Sequence, residues 1–151
     1  MRIWHGGPDD AEVLARLHAP AFADAWPAEA FASLLVREGI VVILGKREGR
    51  ADAEGFILVR VVADEAEIHT FCVAADARRS GLGRALLAAG CDAGRELGAR
   101  EMFLEVGEKN EAALALYRGC GFSLVGRRAA YYRHHDVPAD ALVMRRVLWD
   151  G

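Results

Sequence analysis

Apolar and polar residues follow two different periods along the middle of the chain. Residues 65–73 alternate between two sets, one holding both glutamates and the other Ala66, Ile68 and Cys72, and this two-residue period is typical of a strand. After a short glycine-containing loop the period lengthens to that of a helix, which Gly98 ends. The apolar stripe of this predicted helix consists of Leu82, Leu86, Ala89, Ala93 and Leu97.

The sequence before this strand predicts a short strand, two helices and an antiparallel hairpin. Asp9 or Asp10 can cap the first helix, and Pro27 suits the first turn of the second. Two β-branched runs around a polar turn predict the hairpin. The predicted bounds are 2–4 for the strand, about 10–18 and 27–38 for the helices, and 40–44 and 56–62 for the hairpin strands.

The sequence after the long helix predicts a strand, a helix and a closing hairpin. Residues 102–106 form the strand, and Asn110 caps a helix that runs to about Cys120. The hairpin strands, 122–132 and 141–148, flank a polar segment. The resulting order β-α-α-β-β-β-α-β-α-β-β has one crossover, which predicts an α/β fold with a mixed sheet and helices on both faces.

Composition limits the size and the class of the protein. A chain of 151 residues with 53% hydrophobic composition fits one domain, residues 1–151, with no room for a second. A net charge of −3 gives no electrostatic case for nucleic acid. No apolar stretch is long enough to be a signal peptide or to cross a bilayer, so we expect a cytoplasmic protein with no membrane partner.

The cysteines predict neither a disulfide framework nor a metal site. The three cysteines are an odd number without Cys-x-x-Cys spacing. Strict alternation would put His69 on the opposite face of its strand from Cys72, which leaves that thiol without a base and favours a packing role. Cys91 falls opposite the apolar stripe of its helix, a position that allows exposure, and has no assigned role.

The loop that follows the strand predicts a phosphate site. First-turn N–H groups of a helix are unpaired and carry the positive end of its dipole, and Gly81 and Gly83 let a ligand approach the backbone closely. The segment lacks the P-loop pattern, and Leu86 stands where the dinucleotide fingerprint needs a third small residue. What remains is Arg-x-x-Gly-x-Gly, beginning at Arg78.

Two further residues carry candidate chemistry, each with a structural alternative. Glu105 lies inside an apolar strand, where it either faces solvent or acts as a general base whose pKa burial has raised. Tyr117 shares a helical face with Ala113, Leu116 and Cys120, a position that also suits a core aromatic residue with a hydrogen-bonded hydroxyl.

These motifs together resemble the GCN5-related N-acetyltransferases (GNAT). The Arg-x-x-Gly-x-Gly loop resembles their acetyl-CoA loop, and Leu-Glu-Val, then Asn, Ala-Leu-Tyr and Gly-Phe are similar to their second signature. With residues 127–132 and 140–144, the pattern is most similar to the RimI-type enzymes, which modify the N-terminal alanine of a small-subunit ribosomal protein. The resemblance covers residues 66–146 well and is weak before them, apart from Trp26 and Phe31.

The resemblance implies a GNAT fold, with a mostly antiparallel sheet of about seven strands whose central strands splay apart, and acetyl-CoA as co-substrate without metal. It makes Glu105 the base and Tyr117 the acid. Trp26, Tyr131 and Tyr132 are candidates for the substrate groove. The implied cofactor-binding residues are Phe71, Cys72, Val73, Arg78, Arg79, Ser80, Gly81, Leu82, Gly83, Arg84 and Asn110.

The implied function is acetyl transfer to a protein N-terminal amine by direct attack in a ternary complex, most similar to that of ribosomal-protein alanine acetyltransferases. Acidic residues cluster in sequence near the expected cleft, which suits the basic N-terminal tail of a ribosomal protein. Residues 107–109 and 133–136 depart from the family pattern beside the acceptor groove. The alternatives are acetylation of a small-molecule amine or a lysine, and a non-catalytic CoA-binding sensor.

Overall fold

The structure is a computed structural model that describes residues 1–132 and 139–149. These residues form seven strands and four helices, with short 3-10 turns at Pro8–Asp10 and Ala75–Ala77. The strands are β1 (Arg2–His5), β2 (Ile40–Lys46), β3 (Gly55–Val62), β4 (Glu65–Val73), β5 (Glu101–Gly107), β6 (Ser123–Tyr132) and β7 (Ala139–Val147). The helices are α1 (Ala11–His18), α2 (Ala28–Leu35), α3 (Leu82–Glu96) and α4 (Glu111–Gly119).

All seven strands belong to one sheet in the order β1-β2-β3-β4-β5-β7-β6. Every neighbouring pair is antiparallel except β4 and β5, which are parallel and joined through α3. A parallel pair needs a crossover connection, and α3 supplies it. The predicted mixed, mostly antiparallel sheet is confirmed.

The helices cover both faces of the sheet. One hydrophobic cluster joins α3 and α4 to the sheet and includes Leu86 and Leu114. A second cluster, on the opposite face, joins α1 and α2 to the first strands and includes Leu14 and Phe31. The predicted Pro27 lies at the start of α2, while Asp10 precedes α1 with its carboxylate accepting the Gly7 N–H at 2.8 Å.

The parallel strands β4 and β5 separate soon after they meet. They pair only at Glu65↔Glu101, Ala66↔Met102 and Glu67↔Phe103, although β4 continues to Val73 and β5 to Gly107. Beyond Glu67, the β5 side of β4 therefore has no strand partner within the described residues. This gap confirms the predicted splay and opens a cleft in the middle of the sheet.

A bulge in β4 corrects the prediction of strict alternation. The register shifts from Val59↔Ile68 to Leu58↔Thr70, which leaves His69 without an opposite residue on β3. Ala66 and Ile68 consequently pack with the α3 cluster, whereas Cys72 packs with the α1 and α2 cluster. His69 packs against Trp26 beside that second cluster, so it shares the Cys72 face and the predicted opposite placement is wrong.

The burial of α3 also differs from the predicted stripe. Leu97 lies 49% exposed at the end of the helix, because Gly98 at φ 95° turns the chain away. Cys91 is 1% exposed, so the position that allowed exposure is in the core, and burial raises the pKa of its thiol. The apolar face of α3 is wider than one stripe and includes Leu87 and Gly90.

The closing hairpin is formed by β6 and β7, which pair from Ser123↔Arg145 to Tyr132↔Ala139. Most of the predicted polar segment between the two strands, residues 133–138, lies outside the described residues, as do His134 and His135. The side chains of Tyr131 and Tyr132 are outside them as well.

Candidate active site

The glycine loop adopts a backbone conformation that positions the start of α3. Gly81 lies in the left-handed region at φ 91°, and Arg79 does so at φ 62°. The Ser80 hydroxyl donates to the Ala77 carbonyl at 2.5 Å and accepts the Leu82 N–H at 3.3 Å. These bonds fix the turn, and the Leu82 N–H is already used within it.

Gly83 lies where the start of α3 meets β4 and α4. A Cβ at this position would lie 3.6 Å from Leu116 Cδ2, 3.7 Å from Phe71 Cζ and 3.7 Å from Val73 Cγ2, which are ordinary contact distances. A methyl group therefore fits, while a larger branched side chain would enter the space between these elements. The glycine keeps the helix start open toward the cleft.

Aromatic rings line the cleft on the α3 and α4 face. Tyr117 packs with Phe71 at a centroid distance of 6.3 Å and edge-on to Phe122 at 5.9 Å. Tyr117 is 8% exposed, so it is a core residue, as one alternative predicted, and it also lies beside the cleft. Its helix begins at Asn110, whose side-chain oxygen accepts the Ala113 N–H at 3.2 Å.

Glu105 reaches the cleft from the opposite face of the sheet. On β5 it lies between Leu104 and Val106, both buried in the α3 cluster, so its side chain projects to the other side. The side chain is 38% exposed, and Arg128 donates to it at 2.8 Å. β5 is an interior strand, yet Glu105 faces solvent as in the first of the two alternatives, and the burial assumed in the second is absent.

Charged side chains continue across the same open face. Arg145 and Glu101 lie 3.5 Å apart on this face. A groove beside β4 is lined by Arg60, Glu65, Glu67 and Phe103.

At the end of the sheet Arg127 pairs with Glu108 at 2.8 Å and also with Asp140. Glu65 and Glu67 thus lie near the cleft with their carboxylates exposed, whereas Glu108 is engaged in an ion pair.

Trp26, a candidate residue of the substrate groove, follows α1 and is fixed by a buried histidine. The His18 Nδ1 accepts the Trp26 N–H at 3.1 Å, and its Nε2 lies 3.2 Å from Thr70 Oγ1. Because Nδ1 is the acceptor, Nε2 carries the proton and donates to Thr70. Burial lowers the pKa of His18, which keeps the ring neutral and this arrangement intact. Phe22 stacks on the ring at 4.1 Å.

The remaining predicted residues are spread around the glycine loop and β4. Arg78 Nε donates to the Val73 carbonyl at 3.4 Å, and the exposed Arg84 approaches Gly119 at the end of α4. The Cys72 thiol donates to the Leu17 carbonyl at 3.5 Å, and burial raises its pKa to about 12, so its environment is that of a packing residue. Any contact of Cys72 with a ligand in the cleft would come from its backbone.

Sequence analysis missed three residues of this site. Arg128 appeared only within residues 127–132, as part of the family resemblance, and its pairing with Glu105 depends on the register of β6 and β7. His18 was taken only as the end of a helix, because its bond to the Trp26 N–H depends on how the chain turns back after α1. His69 was misplaced because the bulge is not visible in the sequence pattern.

Comparison with known proteins gives the family. A family model described as the acetyltransferase (GNAT) family matches residues 11–122, about three quarters of the chain. The chain belongs to the GNAT family. The matched residues include the glycine loop, β5 and α4, which carry the motifs of the resemblance. The predicted fold is confirmed.

Individual GNAT relatives are similar over different lengths. The ribosomal protein bS18-alanine N-acetyltransferase of Escherichia coli K12 is 40% identical over 89 residues, a match that spans 59% of this chain and 60% of that relative's length. N-alpha-acetyltransferase RimI of Mycobacterium tuberculosis is 38% identical over 141 residues, or 91% of this chain and 86% of the relative.

Solved GNAT structures have the same architecture. The crystal structure of the ribosomal-protein-S18-alanine N-acetyltransferase from E. coli superposes with a TM-score of 0.88 at 31% identity, covering 99% of this chain and 95% of that one. The structure of YncA from Salmonella typhimurium with its cofactor acetyl-CoA shares the fold, with a TM-score of 0.84 at 18% identity over 99% of this chain and 95% of that one.

The described residues contain neither a metal-binding cluster nor a membrane-spanning helix. No group of three or more histidine, cysteine or acidic side chains within 1–132 and 139–149 is arranged to hold a metal ion. Within the same residues, every helix is too short or too polar to span a bilayer.

His18 makes stability depend on pH in a predictable direction. In the unfolded chain His18 has its ordinary pKa of 6.5, whereas in the folded chain its pKa is lower. The free energy of unfolding is therefore greatest above pH 6.5 and decreases as the pH falls below that value, because the unfolded chain then binds the proton more readily. His18→Gln should lower stability at neutral pH by about 1–3 kcal/mol and reduce this pH dependence. Denaturant unfolding between about pH 5 and pH 8 measures both effects.

His5→Gln is the matched control, since His5 is exposed on the edge strand β1 and should leave the pH dependence unchanged. A part of the dependence should survive in His18→Gln, because burial also lowers the pKa of His69. An unchanged slope in His18→Gln would contradict the assigned role of this ring.

Proposed function

We propose that this chain, acting as a single domain over residues 1–151, transfers the acetyl group of acetyl-CoA to the N-terminal α-amine of a protein. The observation that carries the proposal is the cleft between β4 and β5, which opens beyond Glu67 and has the start of α3 at its mouth. Glu105 and Tyr117 approach this cleft from opposite faces of the sheet. The acceptor we propose is the N-terminal alanine of a small-subunit ribosomal protein.

The residues at the α3 end of the cleft fit the diphosphate of CoA. A helix start presents N–H groups and a positive dipole end to an anion, and Gly81 and Gly83 remove side chains that would block the approach. Arg79 and Arg84 are exposed beside it. The edge of β4 on the β5 side, from Phe71 to Val73, has no strand partner within residues 1–132 and 139–149. It offers backbone groups to the amides of the pantetheine arm, as a neighbouring strand would, although Arg78 Nε occupies the Val73 carbonyl.

When bound, acetyl-CoA supplies an acyl group on a thiolate leaving group. An α-ammonium has a pKa near 8 and must lose a proton before its nitrogen can attack. Glu105, directly or through a water molecule, takes a proton from the attacking nitrogen. The Tyr117 hydroxyl gives a proton to the departing thiolate, and direct attack removes any need for an acyl-enzyme. The raised pKa of the Cys72 thiol agrees with this, because a protonated thiol is a poor nucleophile.

The choice of acceptor is supported by similarity and by charge. The relatives from E. coli and M. tuberculosis are named as ribosomal protein bS18-alanine and N-alpha acetyltransferases. The groove beside the cleft carries the exposed carboxylates of Glu65 and Glu67. Carboxylates at this position would attract the positive charges of a basic peptide tail.

The acceptor proposal predicts the position of the new acetyl group. A peptide beginning Ala-Arg should be acetylated on its α-amine far better than a lysine side chain or spermidine, with efficiency falling as salt screens the acidic groove. Mass spectrometry of the products locates the acetyl group. Acetylation of the lysine ε-amine, or spermidine as the better acceptor, would instead support a lysine or small-amine acetyltransferase, and a chain that binds CoA without transfer would be a sensor.

The cofactor proposal predicts different effects for two substitutions of one glycine. Gly83→Val should lower acetyl-CoA affinity at least 10-fold, because its branched side chain extends into the space bounded by Phe71 and Leu116. Gly83→Ala places only a methyl group at ordinary contact distance and is the control for helix propensity and folding. Calorimetric titration gives the affinities, and wild-type affinity in Gly83→Val would place the diphosphate elsewhere.

The catalytic proposal predicts two separable defects. Glu105→Gln should lower kcat roughly 10²-fold with little change in acetyl-CoA affinity, since the proton acceptor is lost. Tyr117→Phe should slow thiolate departure and have less effect with a thioester whose leaving group is more acidic. Steady-state kinetics with both thioesters measures the difference. Full activity of both variants would exclude these roles.

A further inference from the structure

His69 occupies a special position in β4, at the point where the sheet opens. The bulge leaves it without an opposite residue on β3, and it follows the last β4–β5 pair, Glu67↔Phe103, by two positions. Phe71, which packs on Tyr117 in the cleft, follows it by two more. His69 therefore lies between the acidic groove and the part of β4 proposed to hold the cofactor.

The His69 ring is held in place but keeps one unused nitrogen. Trp26 packs edge-on to it with centroids 5.4 Å apart, and Trp26 is itself fixed by His18. Nδ1 of His69 is buried and is the single side-chain nitrogen or oxygen of that kind without a hydrogen-bond partner among the described residues. The nearest carboxylate oxygen, Glu67 Oε1, lies at 3.8 Å, beyond hydrogen-bond distance.

A buried polar nitrogen without a partner is costly, so such an atom calls for an explanation. A small movement would bring Nδ1–H to the Glu67 carboxylate. Nε2 would then present a lone pair on the face of the sheet that carries Glu105 and the acidic groove. The side chain is 26% exposed, so one edge of the ring faces solvent. This arrangement of carboxylate and imidazole is able to accept a proton.

Glu105 is poorly placed to be the sole acceptor of protons from the substrate. An α-ammonium loses two protons in becoming an amide, and the Glu105 carboxylate is engaged by Arg128 at 2.8 Å. We propose, as an extension of the function proposed above, that His69 is a second catalytic residue that takes the first proton from the acceptor α-ammonium.

Two protons leave the acceptor nitrogen during the transfer, one to His69 and one to Glu105. The ammonium nitrogen gives a proton to the neutral imidazole of His69, leaving an uncharged amine and an imidazolium. The amine lone pair forms the C–N bond as the C–S bond breaks with its electron pair on sulfur. Glu105 takes the second proton from nitrogen, and Tyr117 protonates the thiolate. Water then takes the proton from His69, and exchange with solvent returns the Glu105 carboxyl and the Tyr117 phenolate to their starting forms, so one proton is released per turnover.

The surroundings of His69 keep its ring neutral. Burial is the largest influence and lowers its pKa, Glu67 on the same strand raises it, and Arg60 of β3 and Arg37 after α2 lower it. From α1 the facing titratable group is His18, on the other side of Trp26, and its pKa is also lowered. Glu101 and Glu105 are the ionisable groups that β5 presents to the same face of the sheet.

The pH dependence of kcat/KM tests the proposal. With an Ala-Arg peptide, His69→Gln and His69→Asn should lose about 10-fold near pH 7, since neither amide accepts a proton and only about a tenth of an α-amine with a pKa near 8 is neutral there. The loss should shrink to within a few-fold near pH 9, where the α-amine is already neutral. His5→Gln, an exposed histidine outside the site, should match wild type throughout.

A constant loss at every pH would mean that His69 only supports the structure, and wild-type kinetics would also overturn the proposal. Long-range ¹H–¹⁵N NMR provides a readout besides activity. In a dead-end complex with CoA, adding the peptide should shift the ring nitrogens of His69 but not those of His5, and an unmoved His69 signal would count against contact.

Wild-type activity on the peptide tests the proposed function, and the pH profile of the His69 variants tests the role of His69. If the wild type acetylates no α-amine, the proposed function and this extension both fall. If it acetylates the peptide and the His69 variants keep the wild-type pH profile, the function stands and the role of His69 falls.

Discussion

The short parallel pairing of β4 with β5 is the constraint on which the site depends. Three residue pairs, ending at Glu67↔Phe103, hold the two halves of the sheet together. Longer pairing would close the cleft and remove the free strand edge, while no pairing would leave the halves unconnected except by α3. The bulge at His69 comes where the strands begin to part, and it turns the following residues of β4 to new faces. The edge of β4 left free in this way is available to a ligand.

The two faces of the sheet divide the chemistry between them. The helix start, the aromatic wall and Tyr117 lie with α3 and α4, on the side that suits a phosphate-bearing acyl donor. Glu105, Arg128 and the acidic groove lie on the other face of the sheet, which also carries α1 and α2. The proposed reaction, which joins an amine to an acyl group through the sheet, would therefore have separate entrances for its two substrates. This separation agrees with direct transfer in a ternary complex.

Local sequence patterns predicted most of the fold, because periodicity and turn residues act over a few positions. The strand at 65–73, the helix start after Gly81 and the cap at Asn110 are examples. What could not be predicted depends on register. The extra residue at His69 reverses which side chains share a face with Cys72, and the Arg128–Glu105 pair forms only when β6, β7 and β5 align. Cys91 was misjudged because α3 is buried over a wider arc than one apolar stripe.

The burial of Cys72 has a chemical consequence in a cell whose CoA becomes oxidised. Thiol–disulfide exchange proceeds through the thiolate, and a thiol with a pKa of about 12 is almost never ionised near neutral pH. The side chain also points to the Leu17 carbonyl, away from the face that carries Phe71. Although its backbone borders the cleft, Cys72 is protected from forming a mixed disulfide with CoA, so the donor site would keep its shape under oxidative stress.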